Sequence, residues 1–383
     1  RCTVSVMAAT GTDLEVRLGF TSADDVEPDS ERPGLLRART RPGDRDPNDA
    51  YDRRWCAVHD DAAPGATHPQ LDEAGFETVD LSTNGALQSA LTLVRTADRI
   101  SPDTGADLRA ALTGSHLRLA DGRDLRVDHV ADDGLLHRRG GPNRLDVNAG
   151  RDDSHDSAAG VHADQDVFGT PLAQMMAGAA PRLFRHRTPD ATNDDSSVYL
   201  LNLWIPIQQV TNPLVFMDRR TLDQRRHQLR YGLPVGGFLA REEDQQINDI
   251  WAFLADPGQE WHFRSTMGPS QGYVFDTLGT PHGAGVLPGE DALETLYRLL
   301  AGACAALAGG DTGAMGTIVG TLAPALPEFT TDPIRQAHKR MTDLLGELAH
   351  VHDPAGWIAR AEAAMDAVIR KSVELRLVAT SLD

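Results

Sequence analysis

The sequence is short of cysteine, lysine and aromatic residues, and each shortage narrows what the chain can be. Cys2, Cys56 and Cys304 are an odd set with no C-x-x-C spacing. That excludes a disulfide framework and a cysteine zinc cluster, and it makes a reducing cytoplasm the expected compartment. No basic-then-apolar signal segment opens the chain. No uninterrupted apolar run approaches the roughly 18 residues of a membrane span, so no membrane helix is expected. Lysine occurs only at Lys339 and Lys371, and 37 basic residues face 56 acidic ones for a net charge of −19. The arginine-rich stretches are interleaved with aspartate, so nucleic acid is excluded as a main partner. A P-loop, a G-x-S-x-G elbow and a dinucleotide fingerprint are all missing. What is present is 40% hydrophobic residues over 383 positions. That is enough for a real core, and it allows two or three domains or one elaborated domain.

No internal repeat is visible. Strand-like alternation runs through residues 1–20. Residues 22–72 are rich in Asp, Arg, Pro and Gly and read as long loops. GFETVDL (75–81) predicts a strand and LQSALTLVRTA (87–97) a helix. Residues 131–160 are again polar. VYLLNLWIPI (198–207), PLVFMD (213–218) and GYVFDTL (272–278) carry the clearest strand signals, with helix-like pieces over 219–255. After residue 290 three helical patterns follow, one of them placing Ile334, Ala337, Met341, Leu344, Leu345 and Leu348 on one face. Strand alternation returns over 372–380. A helical block between two strand regions is expected to be an insertion into a β-fold.

His162-Ala163-Asp164 is the sharpest chemical candidate. Residues two apart on a strand share a face, so this pair can hold two positions of a divalent metal. A histidine from an opposite strand would complete a two-histidine, one-carboxylate triad with open positions, as suits Fe(II). A second such triplet, His59-Asp60-Asp61, runs into AAPGATHP and reads as a solvated loop. His282 stands in PHGAG, a small-residue setting that lets backbone and ligand approach closely, although a histidine capping a turn would look the same. Arg370, Ser372, Glu374 and Arg376 share one face of the last strand. An arginine fork beside a hydroxyl matches a carboxylate, as a charged edge strand in water also would. Asn202 is polar within the apolar run and needs a hydrogen-bond partner if buried. It shares a strand face with Trp204. The carboxylate runs 152–156 and 242–244 read as solvated faces.

The order H-x-D, apolar NLWIPI strand, Gly-turn strand ending in histidine, and R-x-S on a last strand resembles the Fe(II)/2-oxoglutarate-dependent dioxygenases. The resemblance covers about residues 160–290 and 368–380, with GFETVDL loosely similar to the region ahead of that family's core. It implies a mainly β fold with helices, built on a double-stranded β-helix (a jelly-roll, cupin-like core). It implies His162, Asp164 and His282 as iron ligands, and Arg370 with Ser372 as the clamp on the far carboxylate of 2-oxoglutarate, with Asn202 a further contact. Residues 1–150 would elaborate the catalytic core of 151–383, with 290–368 inserted as a helical block. WIPIQQVTNPLVF is similar to the phytanoyl-CoA hydroxylase-like branch. PHGAG with RKSVELR is similar to natural-product hydroxylases and desaturases related to cephalosporin hydroxylation and gibberellin desaturation.

Either branch implies a small-molecule substrate and O2. The expected reaction is hydroxylation of an unactivated C–H bond in bacterial secondary metabolism. Desaturation, an isomerase on the same metal scaffold, and a jelly-roll binding protein without catalysis remain open. With Asp164 in place, the family pattern implies oxygen transfer or desaturation and not halogenation. One departure stands out: Arg370 follows His282 by 88 residues, where the family's arginine follows by some ten to twenty. Arg298 has the usual spacing but sits in a helical pattern, and Arg376 shares the Arg370 face. The helical block is also a candidate lid or homodimer contact.

Overall fold

A computed structural model describes residues 14–39, 51–149, 151, 155–156, 158, 160–170, 172, 176–234 and 247–382. Its architecture follows from two strands that are buried on both faces. In Val198–Gln208 the odd-numbered side chains Tyr199, Leu201, Leu203 and Ile205 join one apolar cluster, while Leu200 and Trp204 belong to others on the opposite side. A strand covered on both faces reads as a continuous apolar run and not as an alternation. Its partner Arg370–Leu382 pairs antiparallel along its length, with Asn202 opposite Arg376 and Trp204 opposite Glu374. Val373, Leu375, Leu377 and Ala379 point to the same cluster as the odd residues of 198–208. Arg370, Ser372, Glu374 and Arg376 therefore point the other way, into the space between the sheets.

These strands centre a seven-stranded sheet that also contains Phe76–Asp80, Gln271–Asp276, Asp124–Val130, His116–Arg118 and Leu136–Gly140. A second, ten-stranded sheet carries Asp52–Asp60, Trp261–Phe263, Leu214–Met217, His282–Ala284, His162–Ala163 and Ile247–Phe253 in that neighbour order. Helices cover the outer faces. Gly85–Ala97 and Pro102–Leu112 pack Leu87, Leu91, Val94 and Leu108 on the first sheet. Glu290–Gly309, Asp332–Glu347 and Pro354–Asp366 pack Leu293, Leu296, Met341 and Trp357 on the second, against Trp251, Trp261 and Phe263. The result is a mainly β, jelly-roll-like arrangement of two sheets with helical cover. Among the described residues no helix is long and apolar enough to cross a membrane.

The elements expected at 75–81, 87–97, 198–207, 213–218, 272–278 and 372–380 are present as Phe76–Asp80, Gly85–Ala97, Val198–Gln208, Leu214–Met217, Gln271–Asp276 and Arg370–Leu382. Three stretches differ. The expected loop 22–72 contains the nine-residue strand Asp52–Asp60. Its outer residues Asp52, Arg53, Arg54 and Trp55 face water wholly or partly, so the polar sequence hides a strand. Among the described residues of 219–255, helix is confined to two short turns, Arg219–Thr221 and Gln224–His227. An antiparallel hairpin of Gln228–Pro234 with Ile247–Phe253 follows them. Leu136–Gly140 within the polar 131–160 stretch pairs with the last strand, Ser372 opposite Arg138. Cys2, the alternation of residues 3–6, the carboxylates 152–153 and the run 242–244 lie outside the described residues.

Glu290 opens the helix Glu290–Gly309 and is fully buried. Its two oxygens accept the backbone N–H groups of Leu287 (2.9 Å), Asn143 (2.8 Å) and Asn212 (2.8 Å). Burial pushes the carboxyl up to about 7 against the pull of those donors and of Arg144. A group raised above its unfolded value of 4.5 contributes stability fully present below that pH and lost as pH rises through the folded value. Urea melts between about pH 5 and about pH 8 should show this decline, and Glu290→Gln should flatten it. Trp357 is 1% exposed and donates its indole N–H to Leu344 O at 3.1 Å. Trp357→Ala should lower unfolding free energy by about 3–5 kcal/mol, whereas Leu322→Ala, at a residue 92% exposed, should change it by less than about 0.5 kcal/mol.

Candidate metal centre

His162 lies on a two-residue strand directly opposite His282 on its antiparallel neighbour. Cross-strand partners project to the same side, and the two imidazoles stand with centroids 4.5 Å apart. Asp164 follows His162 by two residues and brings its carboxylate to the same place. Its Oδ1 lies 3.4 Å from His162 Nε2 and 3.9 Å from His282 Nε2. One ligand atom from each of the three residues falls within 4.8 Å of the others.

Each imidazole has its other nitrogen committed. Nδ1 of His162 donates to Gly160 O at 2.9 Å, and Nδ1 of His282 donates to Thr280 O at 3.0 Å. A carbonyl only accepts, so these contacts put the proton on Nδ1 and leave the Nε2 lone pair facing inward. Burial and the neighbouring His162 pull the His282 imidazole down to about 4. Burial alone would raise the Asp164 carboxyl, but His282 and His162 hold it well below the usual carboxylate range. Burial alone would lower the His162 imidazole, but the adjacent Asp164 carboxylate raises it above its ordinary value. A divalent cation, which needs neutral imidazoles and an ionised carboxylate, would take the place of that proton.

The small residues around His282 serve two ends. A Cβ on Gly285 would come within 2.2 Å of Val16, so that glycine permits close packing of the first strand. Gly283 and Ala284 line the cavity beside the imidazoles.

Asn202 reaches across from the other sheet. Its Nδ2 donates to Asp164 Oδ2 at 2.6 Å and approaches Glu374 Oε1 at 3.1 Å, while Arg376 Nε donates weakly to its Oδ1 at 3.4 Å. Arg138 Nε donates to Glu374 Oε2 at 2.7 Å. Asp164 thus has Oδ2 held and Oδ1 left toward the imidazoles. A narrow cavity beside them is lined by His162, His282, Trp204, Arg138, Glu374 and Arg370.

Arg370 is 1% exposed. It donates from Nη1 to Asn212 O at 3.1 Å, and its Nε has no hydrogen-bond partner among the described residues; the hydroxyl of Ser372 and the indole nitrogen of Trp204 also have none. Burial and the like charge of Arg138 pull the guanidinium down to about 10. Arg298 is instead on the outer face of its helix, hydrogen-bonded to Glu294 at 2.8 and 3.0 Å. Arg138 is not legible as a site residue in the sequence, because only the register with Ser372 brings it there.

No known family pattern matches the chain, and no curated protein sequence matches it. Solved structures similar to it include the iron and alpha-ketoglutarate-dependent endoperoxidase NvfI, at 15% identity and a TM-score of 0.48 over 96% of this chain and 97% of that one. The same enzyme in a different conformation and a tryptophan-to-phenylalanine variant of it give 16% identity and TM-scores of 0.49, over 97–98% of this chain and 99% of theirs.

Proposed function

We propose that this chain is a non-haem Fe(II)- and 2-oxoglutarate-dependent oxygenase that oxidises a C–H bond of a small molecule, hydroxylation being the assigned outcome. The observation that carries the reading is the pairing of two demands in one cavity. Three metal-ligating atoms converge on one point, and within the same walls a buried guanidinium has no carboxylate partner among the described residues. Unpaired buried charge is costly. A divalent metal and a dianionic acid that chelates it would satisfy both demands at once.

The residues present fit those groups. His162 and His282 would offer Nε2 and Asp164 would offer Oδ1 to the metal, with three positions left open for co-substrate and O2. Arg370 and Ser372 would hold the far carboxylate of 2-oxoglutarate, and Trp204, whose indole nitrogen is also unpaired among the described residues, forms a wall of the same cavity. Iron with 2-oxoglutarate supplies the oxidising power when bound. The protein's own part is geometric: Asn202 fixes the orientation of Asp164, the Gly160 and Thr280 carbonyls fix the imidazoles, and Phe275, Leu214 and Trp204 form the apolar part of the cavity wall. Glu374 neutralises Arg138 and so leaves Arg370 available to an incoming carboxylate. Residues 290–368 are read as an insertion into the 151–383 core and residues 1–150 as its elaboration. Exposed Val319, Leu322 and Phe329 on that block support a homodimer contact.

Anaerobic titration tests this reading. Metal-stripped protein given Fe(II) and then 2-oxoglutarate should develop the weak visible charge-transfer band of the chelate. Arg370→Ala should raise the 2-oxoglutarate midpoint about 10- to 100-fold, the loss expected for a charge-assisted hydrogen bond, with iron binding unchanged. Arg298→Ala should leave it unmoved. Iron binding without any band, or the Arg370→Ala phenotype appearing in Arg298→Ala instead, would overturn the assignment.

A further inference from the structure

The H-x-D triplet at His59 does not behave as a loop. His59 lies on Asp52–Asp60, which pairs parallel with Trp261–Phe263, and its register partner is His262. Glu260 precedes His262 by two residues and so shares its face. The imidazoles of His59 and His262 stand 4.9 Å apart, and one ligand atom from each of His59, Glu260 and His262 lies within 4.8 Å of the others.

The cluster has built support behind it. Nδ1 of His262 is hydrogen-bonded to Asp61 Oδ1 at 2.9 Å, which turns Nε2 outward and sets the tautomer a metal ligand needs. Asp61 is 3% exposed, and its other oxygen has no hydrogen-bond partner among the described residues. Glu260 is held from both sides of its backbone. Its N–H donates to Thr221 Oγ1 at 3.1 Å, and its carbonyl accepts the Asp218 N–H at 2.9 Å.

We infer that His59, Glu260 and His262 form a second divalent-metal site, for which Zn(II) is the best match to two nitrogens and one carboxylate with water in a fourth position. The site is separate from the triad of His162, Asp164 and His282. Phe216 pairs with His262 on one side and His282 on the other, so one fully buried phenyl ring stands between the two centres. Two strand spacings put their backbones about 10 Å apart. The role follows from connectivity. His59 and His262 are far apart in sequence, and the pairing that brings their strands together runs only along the three residues Trp261–Phe263. A metal held from both sides would clip the N-terminal part of the chain to the core.

Zinc titration of the metal-stripped full chain tests this. Wild type should bind two equivalents, and His59→Ala with Glu260→Gln, both at exposed positions, should bind one. In an Asp164→Ala/His282→Ala background one equivalent should remain, and it should raise the melting temperature as the zinc concentration rises. Asp61→Asn should weaken that remaining equivalent about 10- to 100-fold, as loss of a supporting carboxylate does. If that double variant does not fold, the wild-type comparison with His59→Ala/Glu260→Gln decides alone. Unchanged stoichiometry and unchanged zinc-dependent stabilisation in that pair would overturn the site. Failure of 2-oxoglutarate binding at the other centre would leave it standing, because neither readout depends on that chemistry.

Discussion

Everything at the centre of this molecule depends on charge buried between two sheets. The last strand turns an apolar face to the helices and sets Arg370, Ser372, Glu374 and Arg376 on the face that meets the opposite sheet. Charged groups in that position must be paired or hydrogen-bonded. Asn202 is the bridge: one amide ties Asp164 of the histidine-bearing sheet to Glu374 of the arginine-bearing sheet. Arg138 then meets Glu374, and Arg376 meets the amide oxygen. Among the described residues the network leaves unpartnered the Arg370 Nε, the Ser372 hydroxyl and the Trp204 indole nitrogen, and these line the space where the co-substrate is proposed.

How much of this is legible in the sequence depends on where the partners lie in the chain. A contact made within a few residues leaves a pattern. His162-x-Asp164 and Arg370-x-Ser372 are i, i+2 pairs, and strand geometry alone brings each pair to one face. His282 can be named because a strand signal and a small-residue loop precede it, although Gly285 serves packing against Val16. Arg138 and the His59 cluster are not legible, because register between distant strands assembles them. The paired strands Gln228–Pro234 and Ile247–Phe253 read as helix-like pieces, since their polar residues obscure a period of two. Asp52–Asp60 reads as loop because its arginine-rich start is solvated.

The same register builds both candidate metal centres. Across adjacent strands of one sheet the facing residues run His59, His262, Phe216, His282, His162. In each centre a histidine sits opposite a histidine on the neighbouring strand, and a carboxylate two residues away completes the set. The centres differ in what stands behind them. At His162 and His282 the supporting groups are backbone carbonyls and the ligand carboxylate is fixed by Asn202. At His262 the supporting group is the buried Asp61, and the ligand carboxylate, Glu260, is exposed. A buried, narrow cavity suits chemistry that must exclude water. An exposed cluster at the junction of two distant strands suits a clip.

The 88-residue gap between His282 and Arg370 has a local explanation. The turn after Val198–Gln208 receives both ends of the helical block. Where the block begins, Glu290 accepts the Asn212 N–H. Where it ends, Gln208 Nε2 donates to the carbonyls of Asp366 and Ile369, Thr211 Oγ1 donates to Val368 O, and Arg370 donates to Asn212 O. Asn212 takes a φ of 48° at this point, a left-handed conformation that asparagine tolerates better than most residues. With exit and return anchored to one short turn, the position of Arg370 is fixed by that turn and by strand register. The length of chain between the anchors does not enter, because lengthening a loop whose ends are already held adds little closure cost. Spacing along the chain would single out Arg298, which points to solvent and pairs with Glu294; Arg370 faces the cavity because the strand it opens runs beside Val198–Gln208, and that is why it is the proposed clamp.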